Sequence, residues 1–194
     1  MPADSRPAAL RDRLQPALLD RLIDHRPTET VESQETRTID RPQLRAAVLR
    51  DLAWLLDTTR AEPAPGSTRR QAQAPWDAAP EVRRSVLNYG LPALAGTGLA
   101  TLQAHEVERT VADAIRIFEP RIDPESLEVR VVLDHGDTRH NTLAIVIRAR
   151  IWGQPLPQDL LVRADMEMES GHTRLHELPD HRGPSRPATH RPRP

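Results

Sequence analysis

The chain changes hydrophobic period once, and that change limits the folds open to it more than any other feature. Up to residue 118 its apolar residues recur at helical spacing: Leu44, Val48, Leu52, Leu55 and Leu56 in one run, Val107, Val111, Ala114, Ile115 and Phe118 in another. After residue 126 they alternate. Leu127, Val129, Val131 and Leu133 form one alternating set, then Leu143, Ile145, Ile147, Ala149 and Ile151, then Leu160, Val162, Ala164, Met166 and Met168, with a further short strand at 173–178. Strands that follow one another through polar turns, DHGDTRHNT and GQPLP, pair as antiparallel neighbours. The pattern therefore predicts an α+β fold, in which N-terminal helices pack on a small antiparallel sheet formed by the C-terminal half in sequence order.

Boundaries follow from punctuation. Residues 1–40 read as an N-terminal arm, with a short helix through Leu14, Leu18, Leu19, Leu22 and Ile23 whose first residue is Pro16, followed by a polar extended stretch. Asp40 is placed to cap a helix over 42–57, with Pro42 just inside it. Residues 41–178 then read as a single domain. It is interrupted at 61–80 by a Pro/Ala-rich loop too poor in apolar area to offset its ordering entropy, within which Trp76 reads as a staple to the domain. A short helix is expected through Val82, Val86 and Leu87, closed by Gly90 as a C-cap. The basic, Pro-rich end at 179–194 is expected to be disordered.

Composition excludes several functions. With 27 basic against 28 acidic residues, no overall field draws the chain to nucleic acid or a membrane surface. The absence of cysteine removes disulfides, thiolate catalysis and Cys-based zinc sites. No signal peptide and no apolar run long enough to span a bilayer are read, which leads to the expectation of a cytoplasmic protein without membrane insertion. GTGLA at Gly96 lacks the Lys and spacing of a phosphate loop. His172 and His176 fall on strand-like sequence, and His135 and His140 in a loop, so no metal and no cofactor is expected. Glu119 and Asp123 are the pair that a glycosidase reading would need, but nothing fixes their separation and the chain has few aromatics to line a sugar cleft.

The informative stretch is IRIFEPRI, Ile115 to Ile122. Pro120 cannot continue a helix and moves Glu119 out of α geometry, so the helix has to end on a carboxylate. There the macrodipole opposes it by ~0.3–1 kcal/mol. Two readings follow: an exposed ion pair between Glu119 and Arg116, or a rigid helix end from which Glu119 and Arg121 meet a protein partner.

Taken together, DRLID at Asp20, the RTID and AAVLRDLAWLLDTTR run of 37–60, NYGLPAL at 88–94 and IRIFEPRI at 115–122 resemble TssE, a family of type VI secretion baseplate subunits among the small phage-baseplate wedge proteins historically labelled lysozyme-like. The likeness covers about residues 18–178 in matching order. It departs at Leu55-Leu56-Asp57-Thr58-Thr59-Arg60, where the family has one residue fewer between its leucines and its arginine. The resemblance implies a structural subunit rather than an enzyme, located on the cytoplasmic side of the inner membrane. Implied partners are the baseplate subunits TssF, TssG and TssK and the TssB/TssC sheath, whose assembly would start by strand addition. Partner-binding residues implied are Glu119, Pro120 and Arg121 with Arg116, and Asn88, Tyr89, Gly90 and Leu91. A peptidoglycan hydrolase is the alternative that the old label suggests.

Overall fold

A computed structural model describes residues 16–23, 28, 38–63, 75–95, 103–132, 142–153 and 157–179. The polar stretch of the arm, the centre of the Pro/Ala-rich loop, the hairpin loop holding His135 and His140, and the basic C-terminal end lie largely or wholly outside these residues.

The first long helix, which we number α2, spans Arg41–Asp57. It starts where the sequence predicts, because Asp40 accepts from the Gln43 N–H while the Gln43 side chain accepts from the Asp40 N–H, each at 2.8 Å. This capping box satisfies two donors that the helix itself cannot. The buried face carries Leu44, Ala47, Val48, Leu52, Leu55 and Leu56. The second, α3, spans Ala104–Phe118 and buries Val107, Val111, Ala112, Ala114 and Ile115. Ahead of both lies α1, Leu18–Leu22, a single turn with no buried residue. Pro16 stands two residues before it rather than opening it, and Ala17 is the cap.

Four strands follow: β1 Glu128–Val132, β2 Thr142–Ile151, β3 Gln158–Glu167 and β4 Thr173–Glu177. They form one antiparallel meander in the order β1-β2-β3-β4. The central pair is in register from Thr142 opposite Glu167 to Ile151 opposite Gln158. That register puts Ile145, Ile147, Ile151, Leu160 and Val162 on one buried face, and the two long helices cover it, α3 beside β1 and α2 beside β4. The outer face pairs charges instead, with Glu128 opposite Arg148 and Asp165 opposite Arg174. The observed architecture is the α+β arrangement that the period change predicts.

Each edge strand has an outward N–H taken by a helix carboxylate. Glu108 of α3 accepts from the Val131 N–H at 2.9 Å, and Asp57 at the end of α2 accepts from the Thr173 N–H at 2.7 Å. Asp57 also holds His172 Nδ1 at 3.0 Å.

The short α-helix expected before Gly90 is instead two 3-10 turns, Pro80–Arg84 and Val86–Asn88. So few residues between Pro80 and Gly90 cannot sustain a costly α nucleus, and Ser85 breaks the run with extended geometry while its side chain accepts from the Leu87 N–H. Val86 and Leu87 consequently face solvent. Trp76 is half-buried in a helical turn at 75–78.

Gly90 does not act as the expected C-cap. At φ +112 it lets the chain pass directly over the end of α2, where an added Cβ would lie 2.3 Å from the Thr58 carbonyl oxygen. The same approach seats a two-bond bridge, Leu91 N–H to Thr58 O at 2.8 Å and Arg60 N–H to Leu91 O at 2.7 Å. Gly90→Ala meets both a backbone clash and a disfavoured φ, so we expect a loss of at least ~2 kcal/mol of unfolding free energy in a urea titration.

Candidate functional site

The site is built around the end of α3. Its last turn closes with the Glu119 N–H on Ile115 O at 2.8 Å, after which residue 119 leaves helical geometry at φ −123, ψ 77. Pro120, exposed, has no N–H to satisfy and makes the turn. The chain then joins the sheet: Trp152 N–H donates to Arg121 O at 2.7 Å, Ile122 bridges Ile151, and Asp123 N–H donates to Arg150 O at 2.9 Å. The helix stop is therefore also the point at which the helical layer is tied to β2.

Glu119 turns inward. It is only 2 % exposed, and its carboxylate is engaged at both oxygens. Oε1 accepts from the Arg121 N–H at 3.1 Å and from Arg121 Nε at 2.7 Å, while Oε2 accepts from Arg121 Nη2. This corrects both sequence readings of the residue. Arg116 is not its partner, for it pairs with Asp113 at 3.1 Å in the open. Nor does Glu119 project toward another chain, because the turn at Pro120 folds Arg121 back over it. A bidentate, charge-assisted pair outweighs the few tenths of a kcal/mol by which the helix dipole opposes the carboxylate.

The pair is one end of a chain of alternating charges. Arg121 Nη2 also donates to Asp51 of α2; the other oxygen of Asp51 accepts from Arg50 Nε at 2.8 Å; Arg50 Nη2 donates to Asp20 of α1 at 2.7 Å. Arg50 lies over the half-exposed Trp54 ring, 5.2 Å from its centroid. Burial works against the charge on Arg121, but the hydrogen bonds and charges of Glu119 and Asp51 outweigh it and raise its pKa. Three carboxylates and two guanidiniums thus join α1, α2 and the α3–β1 turn.

Sequence reasoning did not find Asp20, Arg50 and Asp51 as members. A signal was available for Asp51: it stands four residues after Ala47 and four before Leu55, so it borders the buried face of α2, where a carboxylate needs a partner.

The NYGL residues lie behind this cluster, not on the surface. Asn88, buried, accepts from the Glu62 N–H at 3.0 Å and donates to Glu62 and to Arg83 O. Tyr89 meets Phe118 edge-on at 5.2 Å between ring centroids, and its hydroxyl donates to Asp51 O at 3.3 Å. Gly90 and Leu91 are buried.

Nothing in this geometry suits glycoside chemistry. Asp123, the other carboxylate of that reading, is held by Arg150 at 2.7 Å. The cavity lined by Leu56, Thr58, Leu91, Leu94 and Met166 measures about 20 Å³, room for a water at most, and Glu119 is not part of its wall. His172 and His176 do not converge on a shared ligand: the first meets Asp57, the second lies 3.8 Å from Asp165. Among the described residues no helix is long and apolar enough to cross a membrane.

Two measurements test this arrangement. Arg121→Ala leaves Glu119 buried and unpaired, and is expected to cost ~3 kcal/mol in urea unfolding. The double variant Glu119→Gln, Arg121→Ala should recover a good part of that loss. The chain's one tyrosine offers the second. Burial, then the charges of Asp51 and Glu119, raise the Tyr89 pKa. Its tyrosinate absorbance should therefore appear above the ordinary ~10 and return to it on unfolding. Because the folded pKa is the higher one, this contribution to stability is complete below pH ~10 and is lost as pH rises through the folded midpoint.

No curated protein sequence and no solved structure matches the chain. The family described as baseplate wedge protein gp25, phage counterpart of TssE, matches residues 42–156, from the start of α2 past the end of β2 and including the whole Glu-Pro-Arg turn. That span exceeds half the chain, and with the helix layer, the meander and the charged turn already in place, the chain belongs to the family of baseplate wedge protein gp25.

Proposed function

We propose that this protein is a structural baseplate subunit of a type VI secretion system, which docks on the wedge through the end of α3 and offers its sheet as the starting template for the contractile sheath. Membership of the baseplate wedge family carries the reading. Its partners in this reading are TssF and TssG at the helix end, TssK within the same baseplate, and TssB/TssC at the sheet; it acts on the cytoplasmic side of the inner membrane.

The geometry supports a division of labour among the motif residues. Glu119 and Arg121, locked to each other, hold the turn rigid; Tyr89 supports it through Phe118 and Asp51, while Asn88, Gly90 and Leu91 anchor the Tyr89 segment to residues 58–62. Exposed Pro120 and Arg116, with Trp152 beside them in the chain's hydrogen-bonded return, form the surface a partner meets. A rigid contact surface loses little conformational entropy on binding. For the sheath, a four-stranded meander has two edges, and at β4 the outward-facing main-chain groups of Leu175 and Glu177 have no hydrogen-bond partner among the described residues and suit an added strand.

Hydrolase activity fits the geometry poorly. A general acid has to reach substrate, whereas the Glu119 carboxylate is enclosed and its oxygens already accept three hydrogen bonds from Arg121.

Co-purification tests the reading. The wild-type protein should be captured by a TssF–TssG assembly. Arg116→Glu and Trp152→Ala, both at exposed positions, should reduce capture at least ~tenfold while leaving the melting temperature within a few degrees. Capture of neither wild type nor variant, or full capture of both variants, would sink it.

A further inference from the structure

The helical turn α1 buries none of its residues, and the way it is held is unusual. Its leucines face outward: Leu18 and Leu22 are each 72 % exposed, and no residue of the turn is buried. Its main-chain bonds are local, Arg21 N–H to Ala17 O and Ile23 N–H to Leu19 O. Among the described residues, the hydrogen bonds and ion pairs that tie it to the body are those of Asp20. A helical turn that points its acid in and its leucines out is inverted with respect to water, so hydrophobic burial is not what seats it.

Asp20 also fits its seat incompletely. Oδ1 is well bonded to Arg50, but Oδ2 is buried without a hydrogen bond, and so is Arg121 Nη1, 3.7 Å away. An unmade bond between a buried donor and a buried acceptor costs more than the bond itself would contribute. The corner formed by Arg50 and Arg121 therefore keeps a donor, Arg121 Nη1, that the carboxylate it holds does not use. Asp20 adds a third carboxylate to a cluster whose other members, Asp51 and Glu119 against Arg50 and Arg121, already balance.

We propose that the Arg50–Arg121 corner is a carboxylate-receiving dock, which Asp20 fills in cis and which an acidic side chain of an assembling partner fills in trans, releasing the arm. The partner it fits is a helix carrying one Asp or Glu flanked by apolar residues, the same chemistry that α1 itself presents. Trp54, half-exposed against Arg50, supplies the apolar rim such a helix would cover. The arm thereby acts as a place-holder that occupies the corner until assembly. The trans half rests on the wedge-docking reading above; the cis half does not.

Asp20→Asn, nearly isosteric and uncharged, separates the two. In the isolated full-length protein it should speed amide hydrogen exchange across residues 17–23 about tenfold and leave α2 and α3 unchanged. With purified TssF–TssG assembly as the probe, the same variant should bind about threefold or more tightly, because the competitor is weakened. Unchanged exchange in the arm overturns the latch. Faster exchange with unchanged or weaker capture overturns the competition, since the arm would then be a bystander or part of the interface. If wild type is not captured at all, the wedge-docking reading and the trans half fall together, while the exchange data still judge the cis latch.

Discussion

The grip of Arg121 on Glu119 is the contact from which the rest of the structure takes its geometry. It closes α3, sets the direction in which the chain enters the sheet, and, through Asp51, fixes α2 beside α3. Pro120 makes it possible. Without an N–H at 120 there is one donor fewer to satisfy at the helix end, and the residue before a proline favours extended geometry, which swings the 119 side chain under the turn. A buried ion pair is a weak source of net stability compared with well-packed apolar residues, but breaking one leaves a charge stranded. What the pair supplies here is direction: two parallel hydrogen bonds define the orientation of a turn that apolar packing alone would leave free to shift.

The helices do more than cover the sheet. Glu108 and Asp57 reach around to the outward N–H groups of Val131 and Thr173, one at each edge of the meander. A free strand edge invites uncontrolled pairing, and a charged side chain that occupies one of its donors limits that pairing without burying the edge. If the sheet accepts a strand as proposed, partial blocking of this kind permits selectivity, because an incoming strand has to offer more than backbone complementarity.

How much of this was legible in the sequence depends on how local the cause is. The two long helices and four strands were legible because Leu44, Val48, Leu52 and Leu55, or Leu143, Ile145, Ile147 and Ala149, repeat their period several times, and Asp40 with Pro42 marks a helix start within three residues. Val82, Val86 and Leu87 misled because three apolar positions between Pro80 and Gly90 cannot distinguish an α turn from a 3-10 turn. Glu119 was legible as an anomaly, a carboxylate where the dipole opposes it. Its partner was not, since Arg116 lies three residues before it and Arg121 two after, both within reach, and the choice is made by Asp51, 68 residues earlier on another helix. Gly90 is similar: a glycine after Asn-Tyr suggests a cap, whereas the Thr58 carbonyl beneath it is visible only once the chain has folded back over α2.

The same long-range choice bears on what the motif is for. A carboxylate that serves as a general acid needs an environment that keeps its proton and a cleft that admits substrate. Glu119 has a guanidinium bonded to both oxygens and is 2 % exposed, so no cleft admits a ligand to its carboxylate. The features that would count against an enzyme are those a scaffold needs: charges satisfied internally, a turn held by directional bonds, and exposed residues such as Pro120 and Arg116 placed on rigid support. Motif residues that look catalytic by type are here committed to shape, and under the proposed function the surface they shape is the one a partner chain would meet.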